Sequence, residues 1–274
     1  MDPFVFQETA DIPIFIIKEW EERFPSLRVG FSARKKGEDA DCRNYALHVG
    51  NNGAQVIENR RKLAEFVDFS LSDWTCAEQV HHTRIAFAQD HDRGRGKKDR
   101  KTAFQNTDGL FSYRSNMLLA SYYADCVPLY FYASDIGHYG VAHAGWKGTV
   151  QQIGPKMIQK LQERGARIEH IFVAVGPSIG PCCYEVDHHV IHPLKRVLNN
   201  QMQLDRVAMS HTPAKWHLDL KEANASLLKN IGVKEQNVLQ SNWCTSCDVN
   251  YFYSHRRDGG NTGRMVAWIG KKGD

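Results

Sequence analysis

The apolar positions of this chain form short β-like runs that alternate with segments of helical periodicity. Residues 54–67 carry apolar side chains at 56, 57, 63, 66 and 67, which is the spacing of an amphipathic helix. Similar patterns predict helices at 186–198 and 220–231, and strands at 27–31, 168–175, 238–240 and 264–269. Because no repeat or low-complexity linker interrupts the pattern, we predict a single domain over residues 1–274. Its predicted class is α+β, with mixed β-sheet layers flanked by helices.

Two further strands are predicted within residues 117–133, on either side of Cys126, and another short apolar run ends at His143. Reactive side chains at strand ends beside tight turns are a common setting for chemistry. A cysteine and a histidine placed in this way can act as a thiolate nucleophile with its base, or as two ligands of a metal ion. His81 and His82, at another predicted strand break, are candidates for a third ligand. Spacing alone favours a buried Cys126 and a hydrogen-bonded His143 without a chemical role.

A glycine-bounded turn follows His143 and leads into a helix predicted over residues 149–164. Thr149 is the predicted N-cap, and Gly154-Pro155 predicts a kink or a late start of the helix. Lys147 and the free N–H groups at the start of this helix suit an anion such as phosphate. The turn does not match a Walker motif, so the pattern indicates anion binding only in general terms.

Three other segments concentrate cysteines or charge. Cys244 and Cys247 form a lone C-x-x-C, for which a structural or incidental role is predicted. Residues 92–101 are basic and punctuated by glycine, which is typical of a mobile solvated loop. Residues 254–259, with Arg264 beyond them, suit an internal ion-pair network and a phosphate site equally well.

Composition is that of an ordinary globular protein. Hydrophobic residues make up 42% and charged residues 24% of the chain, and no apolar run approaches the roughly 20 residues of a membrane helix. The net charge of +4 is too small to indicate nucleic acid as a partner. Seven scattered cysteines, and an N-terminus without a basic n-region, predict reduced thiols and a cytoplasmic location. No oligomeric state is predicted.

Nine uncommon motifs occur in order along most of the chain. They are GFSAR (30–34), NYALHVGN (44–51), ENRRKL (58–63), QVHHTRI (79–85), TDGL (107–110), YADCVPLYF (123–131), GVAHAGWKGT (140–149), GPSIGPCCYEV (176–186) and FYSHRRDGGNTGR (252–264). Together they resemble the laccase-domain, or polyphenol oxidase, family, whose members are regarded as purine nucleoside phosphorylases with adenosine deaminase activity. Three positions depart from the family pattern: Ser178 replaces a cysteine, Asn51-Asn52 an acidic pair, and Pro155 lies in a helix normally free of proline.

The resemblance implies a zinc site made by the histidine after Gln-Val, the cysteine of Ala-Asp-Cys and the histidine of His-Ala-Gly-Trp. In this chain these ligands are His81, Cys126 and His143, so His81 is preferred over His82. Copper suits the same ligands. Methylthioadenosine joins the purine nucleosides as a candidate substrate, and inorganic phosphate is the second substrate that the resemblance implies.

The resemblance also implies roles for residues around this site. Arg34 and His48 match positions that line the same pocket, and both are predicted to be catalytic. Arg34 and Lys147 are predicted to bind phosphate during its attack on C1′ of the ribose. Asp125 is the predicted general acid or base, for example when a zinc-activated water attacks C6 of adenosine. Since neighbouring residues of a strand face opposite ways, its side chain can instead point into the core.

Three other functions are open at this point. The older family name indicates a copper-dependent polyphenol oxidase, or laccase, although the chain contains no His-x-His pair. A metal-free cysteine hydrolase would use Cys126 and His143 as nucleophile and base. A nucleic-acid or partner-binding module is the least favoured, because the basic charge is confined to one run without interleaved aromatic residues.

Overall fold

Strands and helices alternate along the computed structural model, which describes residues 1–8, 12–35, 37, 42–198 and 200–273. The strands are β1 (Phe4–Gln7), β2 (Ile14–Ile17), β3 (Leu27–Ser32), β4 (Trp74–Cys76), β5 (Ile85–Phe87), β6 (Gly109–Ser112), β7 (Met117–Tyr123), β8 (Val127–Ala133), β9 (His138–Ala144), β10 (Ile171–Val175), β11 (Glu185–Val186), β12 (Ala208–Thr212), β13 (Lys215–Leu218), β14 (Val238–Gln240) and β15 (Met265–Lys271). The α-helices are α1 (Lys18–Arg23), α2 (Gly53–Phe66), α3 (Trp146–Val150), α4 (Ile153–Gln162), α5 (His188–Lys195), α6 (Gln201–Val207) and α7 (Leu220–Asn230).

Two six-stranded sheets form the centre of the molecule. The first has the strand order β1-β2-β3-β15-β7-β4, and the second has the order β14-β10-β8-β9-β6-β5. Most neighbouring strands are antiparallel, whereas β4–β7, β5–β6 and β10–β14 are parallel pairs. A small third sheet has the order β11-β13-β12. The predicted α+β class with mixed sheets is confirmed.

Strand β7 shows why the central strands are mostly apolar. Leu119 and Tyr123 belong to an aromatic-rich core between the two large sheets, together with side chains of both sheets. Leu118 and Tyr122, on the opposite face of β7, pack with buried residues of α2. Because successive side chains of a strand point to opposite faces, a strand covered on both faces has few polar positions.

The outer face of the second sheet is covered in the same way. Alternate residues of β8 pack against Met157, Ile158 and Leu161 of α4 and against Leu227 and Leu228 of α7. The layers therefore run from α2 through the first sheet and the second sheet to α4 and α7.

Three interior tyrosines connect the two large sheets by hydrogen bonds. Tyr130 of β8 donates its hydroxyl to the carbonyl of Gly30 in β3 at 2.9 Å. Tyr123 donates from β7 to Ala142 in β9 at 3.0 Å, and Tyr139 donates from β9 to Met117 in β7 at 2.8 Å. Buried hydroxyls need such partners, and each of these bonds also ties one sheet to the other.

The helix predicted at 149–164 is divided into α3 and α4. Pro155 has no N–H and lies in the first turn of α4, where no donor is needed, so the late start is confirmed. Gln152, with φ 61°, separates the two helices. The prediction of Thr149 as N-cap is wrong, because α3 already begins at Trp146 and Gly145 occupies the N-cap position.

The segment predicted as a solvated loop at 92–101 is packed against the body of the protein. The buried Arg60 of α2 donates to the carbonyls of Gly96 and Lys97 at 2.8 and 3.1 Å. A short 3-10 helix at Arg100–Thr102 follows, and Asp92 is buried. The prediction is wrong because side chains distant in sequence satisfy the polar backbone of this segment.

The short strand β1, the third sheet and α6 were not predicted from the sequence, because their apolar patterns are too brief to show a period. No helix in the described ranges is both long and apolar enough to cross a membrane.

Candidate metal and substrate site

The chain passes from one large sheet to the other at Ala124-Asp125-Cys126. Strand β7 of the first sheet ends at Tyr123, and β8 of the second sheet begins at Val127. Asp125 has φ 84°, a left-handed conformation that is uncommon for residues other than glycine. The turn places Cys126 at one end of the sandwich, beside the last residues of β9.

His81, Cys126 and His143 converge at this end of the sandwich. One candidate ligand atom from each lies within 4.8 Å of the others, and the two imidazole centroids are 4.7 Å apart. His143 comes from the end of β9, whereas His81 lies between β4 and β5 with φ 59°. The structure brings His81, and not its neighbour His82, into this group.

Asp108 is the buried residue that holds this arrangement in place. One carboxylate oxygen accepts from the backbone N–H of His81 and from Nδ1 of His143, both at 2.9 Å. The other oxygen accepts from the backbone N–H groups of Val80 and His82, at 3.2 and 2.9 Å. The carboxylate therefore supports the left-handed turn at His81 and keeps the proton of His143 on Nδ1. Once Nε2 has lost its proton, its lone pair can bind a metal ion.

Cys126 and His143 carry opposite charges at neutral pH. Burial alone would raise the pKa of the Cys126 thiol, but the charge of His143 and hydrogen bonds from His143 and His81 lower it to about 6. Burial would lower the pKa of His143, but the Cys126 thiolate and the Asp108 carboxylate raise it to about 9. A thiolate is the form of cysteine that binds metal, and a metal ion replaces the imidazolium proton as its positive partner.

Gly145 leaves the space in which these ligand atoms meet. A Cβ atom at this position would lie 2.9 Å from Sγ of Cys126 and 3.1 Å from Nδ1 of His81. Both distances are shorter than normal contacts, so a larger residue would displace the two side chains.

The donor set fits a borderline-soft metal ion. Two imidazoles and one thiolate are ligands that zinc and copper both accept. His81 is exposed and Cys126 is partly exposed to an adjoining cavity, so a bound ion would be open to a further ligand. Three protein ligands with an open position are typical of catalytic sites, whereas structural sites have four protein ligands.

Two adjoining cavities share His81, Asp125, Cys126 and Tyr184 in their walls. One has a volume of 330 Å³ and is lined in addition by polar and cationic side chains, among them His48, His255, Arg256 and Arg264. The other has a volume of 270 Å³ and is lined in addition by Trp146, Lys147 and Leu220 among others. Together they offer an apolar wall beside several positive charges. An aromatic ligand can pack against such a wall, and an anionic ligand can bind to the charges.

His48 lines the larger cavity and Lys147 lines the smaller one. Desolvation and the positive charge of Arg264 are among the effects that lower the pKa of His48 to about 4, so His48 is neutral at pH 7. Lys147 is exposed, and its Nζ lies 5.7 Å from the ring centroid of Trp146.

Asp125 lines both cavities, but its carboxylate is already bound to protein donors. Oδ1 accepts from Thr245 at 2.6 Å, and Oδ2 accepts from the Ser254 hydroxyl at 3.0 Å and the Arg256 N–H at 2.7 Å. These three donors occupy the carboxylate and leave it little capacity for a further hydrogen bond to a substrate. The side chain is directed towards the loops that carry Thr245, Ser254 and Arg256.

Arg34 is the one predicted site residue that does not line either cavity. Its guanidinium donates two hydrogen bonds to the carbonyl of Val249, at 2.7 and 3.1 Å. It also lies 5.3 Å from the ring centroid of Tyr253. The arginine at the strand exit thus supports the segment around residues 249–253 from behind.

The sequence patterns assigned no definite role at this site to four residues that lie there. Asp108 was interpreted only as part of a turn, and Tyr184 belongs to a motif that carried no chemical prediction. Arg256 and Arg264 come from the charged segment for which two roles were equally open, and both line the larger cavity. The neighbouring Arg257 and Asp258 form an ion pair at 2.8 Å, which agrees with the ion-pair role.

Comparisons with known proteins agree on one family. A family model described as multi-copper polyphenol oxidoreductase laccase matches residues 28–272. A relative named purine nucleoside phosphorylase YlmD, from Geobacillus stearothermophilus, is 45% identical over 234 residues, which are 84% of this chain and 83% of that protein. A protein named adenosine deaminase RL5, from an unknown prokaryotic organism, is 31% identical over 229 residues, or 84% of this chain and 87% of its own length. The crystal structure of YlmD from Geobacillus stearothermophilus matches with a TM-score of 0.91 at 39% identity, covering 99% of this chain and 100% of that one.

Proposed function

The chain belongs to the multi-copper polyphenol oxidoreductase laccase family, and from this premise we propose that it is a purine nucleoside phosphorylase with adenosine deaminase activity. One relative named purine nucleoside phosphorylase and another named adenosine deaminase support the proposal. The observation that carries it is the group of His81, Cys126 and His143 in the wall of a cavity that also presents cationic side chains. Such a site can bind a metal ion, and its cationic side chains can balance the negative charge of phosphate.

His81, Cys126 and His143 would hold a zinc ion, with Asp108 orienting His143. When bound, the ion supplies Lewis-acid polarisation and the activation of water. The Cys126 thiol is then a ligand and not a nucleophile, which disfavours the metal-free cysteine hydrolase.

Phosphorolysis requires positive charge around phosphate and an open path to the ribose. A phosphate oxygen forms a bond with C1′, the bond from C1′ to the purine nitrogen breaks, and the purine leaves with the electron pair and takes up a proton. Lys147, Arg256 and Arg264 are the cationic side chains that line the cavities, and we assign the positioning of phosphate to them. Arg34 acts in this proposal as a positioning residue behind the site, not as a phosphate ligand.

Deamination requires a water molecule at C6 of adenosine, where it displaces ammonia to leave inosine. The neutral imidazole of His48 suits a hydrogen bond to the purine or the water, because it adds no charge at pH 7. Asp125 acts as a positioning residue, since its three hydrogen bonds fix the loop that carries Arg256 against the cavity.

Copper-dependent oxidation of phenols is the weaker candidate. Multi-copper chemistry draws on many clustered histidines. Within the described residues, no group of candidate ligand atoms lying within 4.8 Å of one another contains more than two histidines. Copper bound at the proposed zinc ligands would show a thiolate-to-copper absorption band in the purified protein.

Incubation of the purified protein with adenosine, with and without inorganic phosphate, tests the proposal by chromatography of the products. Adenine and ribose 1-phosphate formed only with phosphate establish phosphorolysis, and inosine establishes deamination. Methylthioadenosine is tested in parallel. Unchanged nucleoside under all conditions, with metal bound, would refute both activities.

Matched variants connect the activity to the proposed ligands. Cys126→Ala and His143→Ala should each abolish metal binding at this site and nucleoside turnover. His82→Ala is the control, because His82 neighbours a ligand but lies outside the group. Full phosphorolysis by Cys126→Ala protein that lacks metal would contradict the proposal.

A further inference from the structure

A second group of candidate ligands lies outside the substrate cavities. The lone C-x-x-C of Cys244 and Cys247 meets a second pair, Cys182 and Cys183, and one ligand atom from each of the four lies within 4.8 Å of the others. The C-x-x-C is therefore not a lone pair, because the fold brings a second pair of cysteines to it. We propose that these four cysteines, hereafter the cysteine cluster, bind a zinc ion as a structural tetrathiolate site.

The sulfur positions suit one ion among four ligands. The Sγ atoms of Cys183 and Cys247 are 3.3 Å apart, those of Cys182 and Cys247 3.4 Å, and those of Cys182 and Cys244 3.5 Å. A tetrahedral zinc ion with bonds of about 2.3 Å separates its sulfur ligands by about 3.8 Å, so small side-chain movements complete the site.

The contacts link all four sulfurs in a continuous series. Cys182 and Cys247 each contact two other sulfurs, whereas disulfide formation would select one partner for each. All four are free thiols in the structure. A central ion accounts for the shared arrangement, since it binds every sulfur at once.

The backbone holds the two pairs together independently of the sulfurs. Ser178 and Cys244 form a parallel β-bridge, and the N–H of Thr245 donates to the carbonyl of Ser178 at 3.0 Å. The N–H of Gly180 donates to Sγ of Cys244 at 3.2 Å. Backbone N–H groups directed at a ligand sulfur stabilise its thiolate, which is the form that binds zinc.

A buried cation lies next to the cysteine cluster. Lys221 of α7 is 3% exposed, and its Nζ donates to the carbonyl of Trp243, the residue before Cys244, at 2.7 Å. Four thiolates around a divalent ion carry a net negative charge, so a nearby ammonium group balances part of it.

The site would fix the wall of the substrate cavity. The loop that carries Cys182 and Cys183 also carries Ile179 and Tyr184, which line the smaller cavity. The loop of the other pair carries Thr245, which donates to Asp125 beside the proposed metal ligands. Joining the two loops holds these groups in one arrangement, which is a structural role for an ion without an open position.

Elemental analysis in the Cys126→Ala/His143→Ala background tests the proposal, because that background lacks the other metal site. We expect about one zinc per chain there, and none after Cys247→Ser is added. Cys42→Ser and His211→Ala are controls, and each should leave the zinc content unchanged. His211 belongs to a separate surface group with Glu185 and His217, so its substitution also accounts for zinc bound there.

The unsubstituted protein provides a measurement that does not depend on folding of the variants. Thiol modification under native conditions should release zinc in step with labelling of the cysteine cluster, mapped by mass spectrometry. Absence of zinc in the Cys126→Ala/His143→Ala background, or a disulfide within the cysteine cluster in freshly purified protein, would overturn the proposal. Either result leaves the proposed nucleoside chemistry untouched, because that chemistry is measured separately through its products.

Discussion

A single buried carboxylate determines the geometry of the proposed metal site. Asp108 orients the imidazole of His143 and supports the backbone turn at His81, yet it lines neither of the two cavities. The pKa of Asp108 is lowered, because hydrogen bonds and charge from His143 and the backbone outweigh the effect of burial. Carboxylates behind a histidine ligand typically change metal affinity when they are replaced.

We expect Asp108→Asn to lower zinc affinity at the proposed catalytic site by about 10- to 100-fold. The amide has one acceptor oxygen in place of two, so it cannot serve the backbone donors and His143 together. Chelator competition measures the affinity, and Asp135→Asn is the control. Asp135 also accepts from a backbone N–H, that of Arg167, but follows the far end of β8. Equal affinities in the two variants would contradict the assigned role.

Among the described residues, the buried hydroxyl of Ser178 finds no hydrogen-bond partner. We expect Ser178→Ala to increase the free energy of unfolding by about 1 kcal/mol, because it removes an unsatisfied polar group. Ser112→Ala should have the opposite effect, since the Ser112 hydroxyl donates to the carbonyl of Ala88 at 2.8 Å. Denaturant titration of both variants measures the difference, and a loss of stability in Ser178→Ala would refute this account.

At the scale of elements, the start of α3 matters because it lies against the ligands. Gly145 caps α3 and lies where a Cβ would contact Cys126 and His81. We expect Gly145→Ala to reduce metal occupancy and phosphorolysis at least about tenfold, while the circular dichroism spectrum of the fold is retained.

Gly53→Ala is the matched control for Gly145→Ala. Gly53 begins α2, and a Cβ there would meet Cδ2 of Leu47 at an ordinary 3.8 Å. Its metal content and activity should equal those of the unsubstituted protein. Normal metal content in Gly145→Ala would show that the ligands have more room than the structure indicates.

A helix or strand was predictable from the sequence where its pattern of apolar positions extended over enough residues. The helix over residues 54–67 corresponds to α2, and the strands beside Cys126 correspond to β7 and β8. The strands predicted on either side of the break at His81 and His82 are only three residues long in the structure, as β4 and β5. Backbone bonds of Val80 and His82 to Asp108 end the extended conformation there, and no local pattern records them.

At the scale of the whole molecule, the two large sheets share one core and are joined by tyrosine hydroxyls. We expect Tyr130→Phe to lower the free energy of unfolding by about 1 kcal/mol, because the bond to the Gly30 carbonyl is lost. Tyr132→Phe is the control, since it retains the bonds of Tyr123, Tyr130 and Tyr139 between the sheets. Denaturant unfolding measures both, and equal effects would show that the bond contributes nothing.

The sequence by itself determined the α+β class, because apolar periodicity is a local property that survives in the order of residues. Its ordered motifs also led to the proposed ligands His81, Cys126 and His143. Only the tertiary structure decided that Asp108 stands behind them and that Thr245, Ser254 and Arg256 hold the carboxylate of Asp125. It also decided that four cysteines from two distant segments meet. These contacts join residues whose separation along the chain carries no periodic signal, and packing of the sheets and loops alone brings them together.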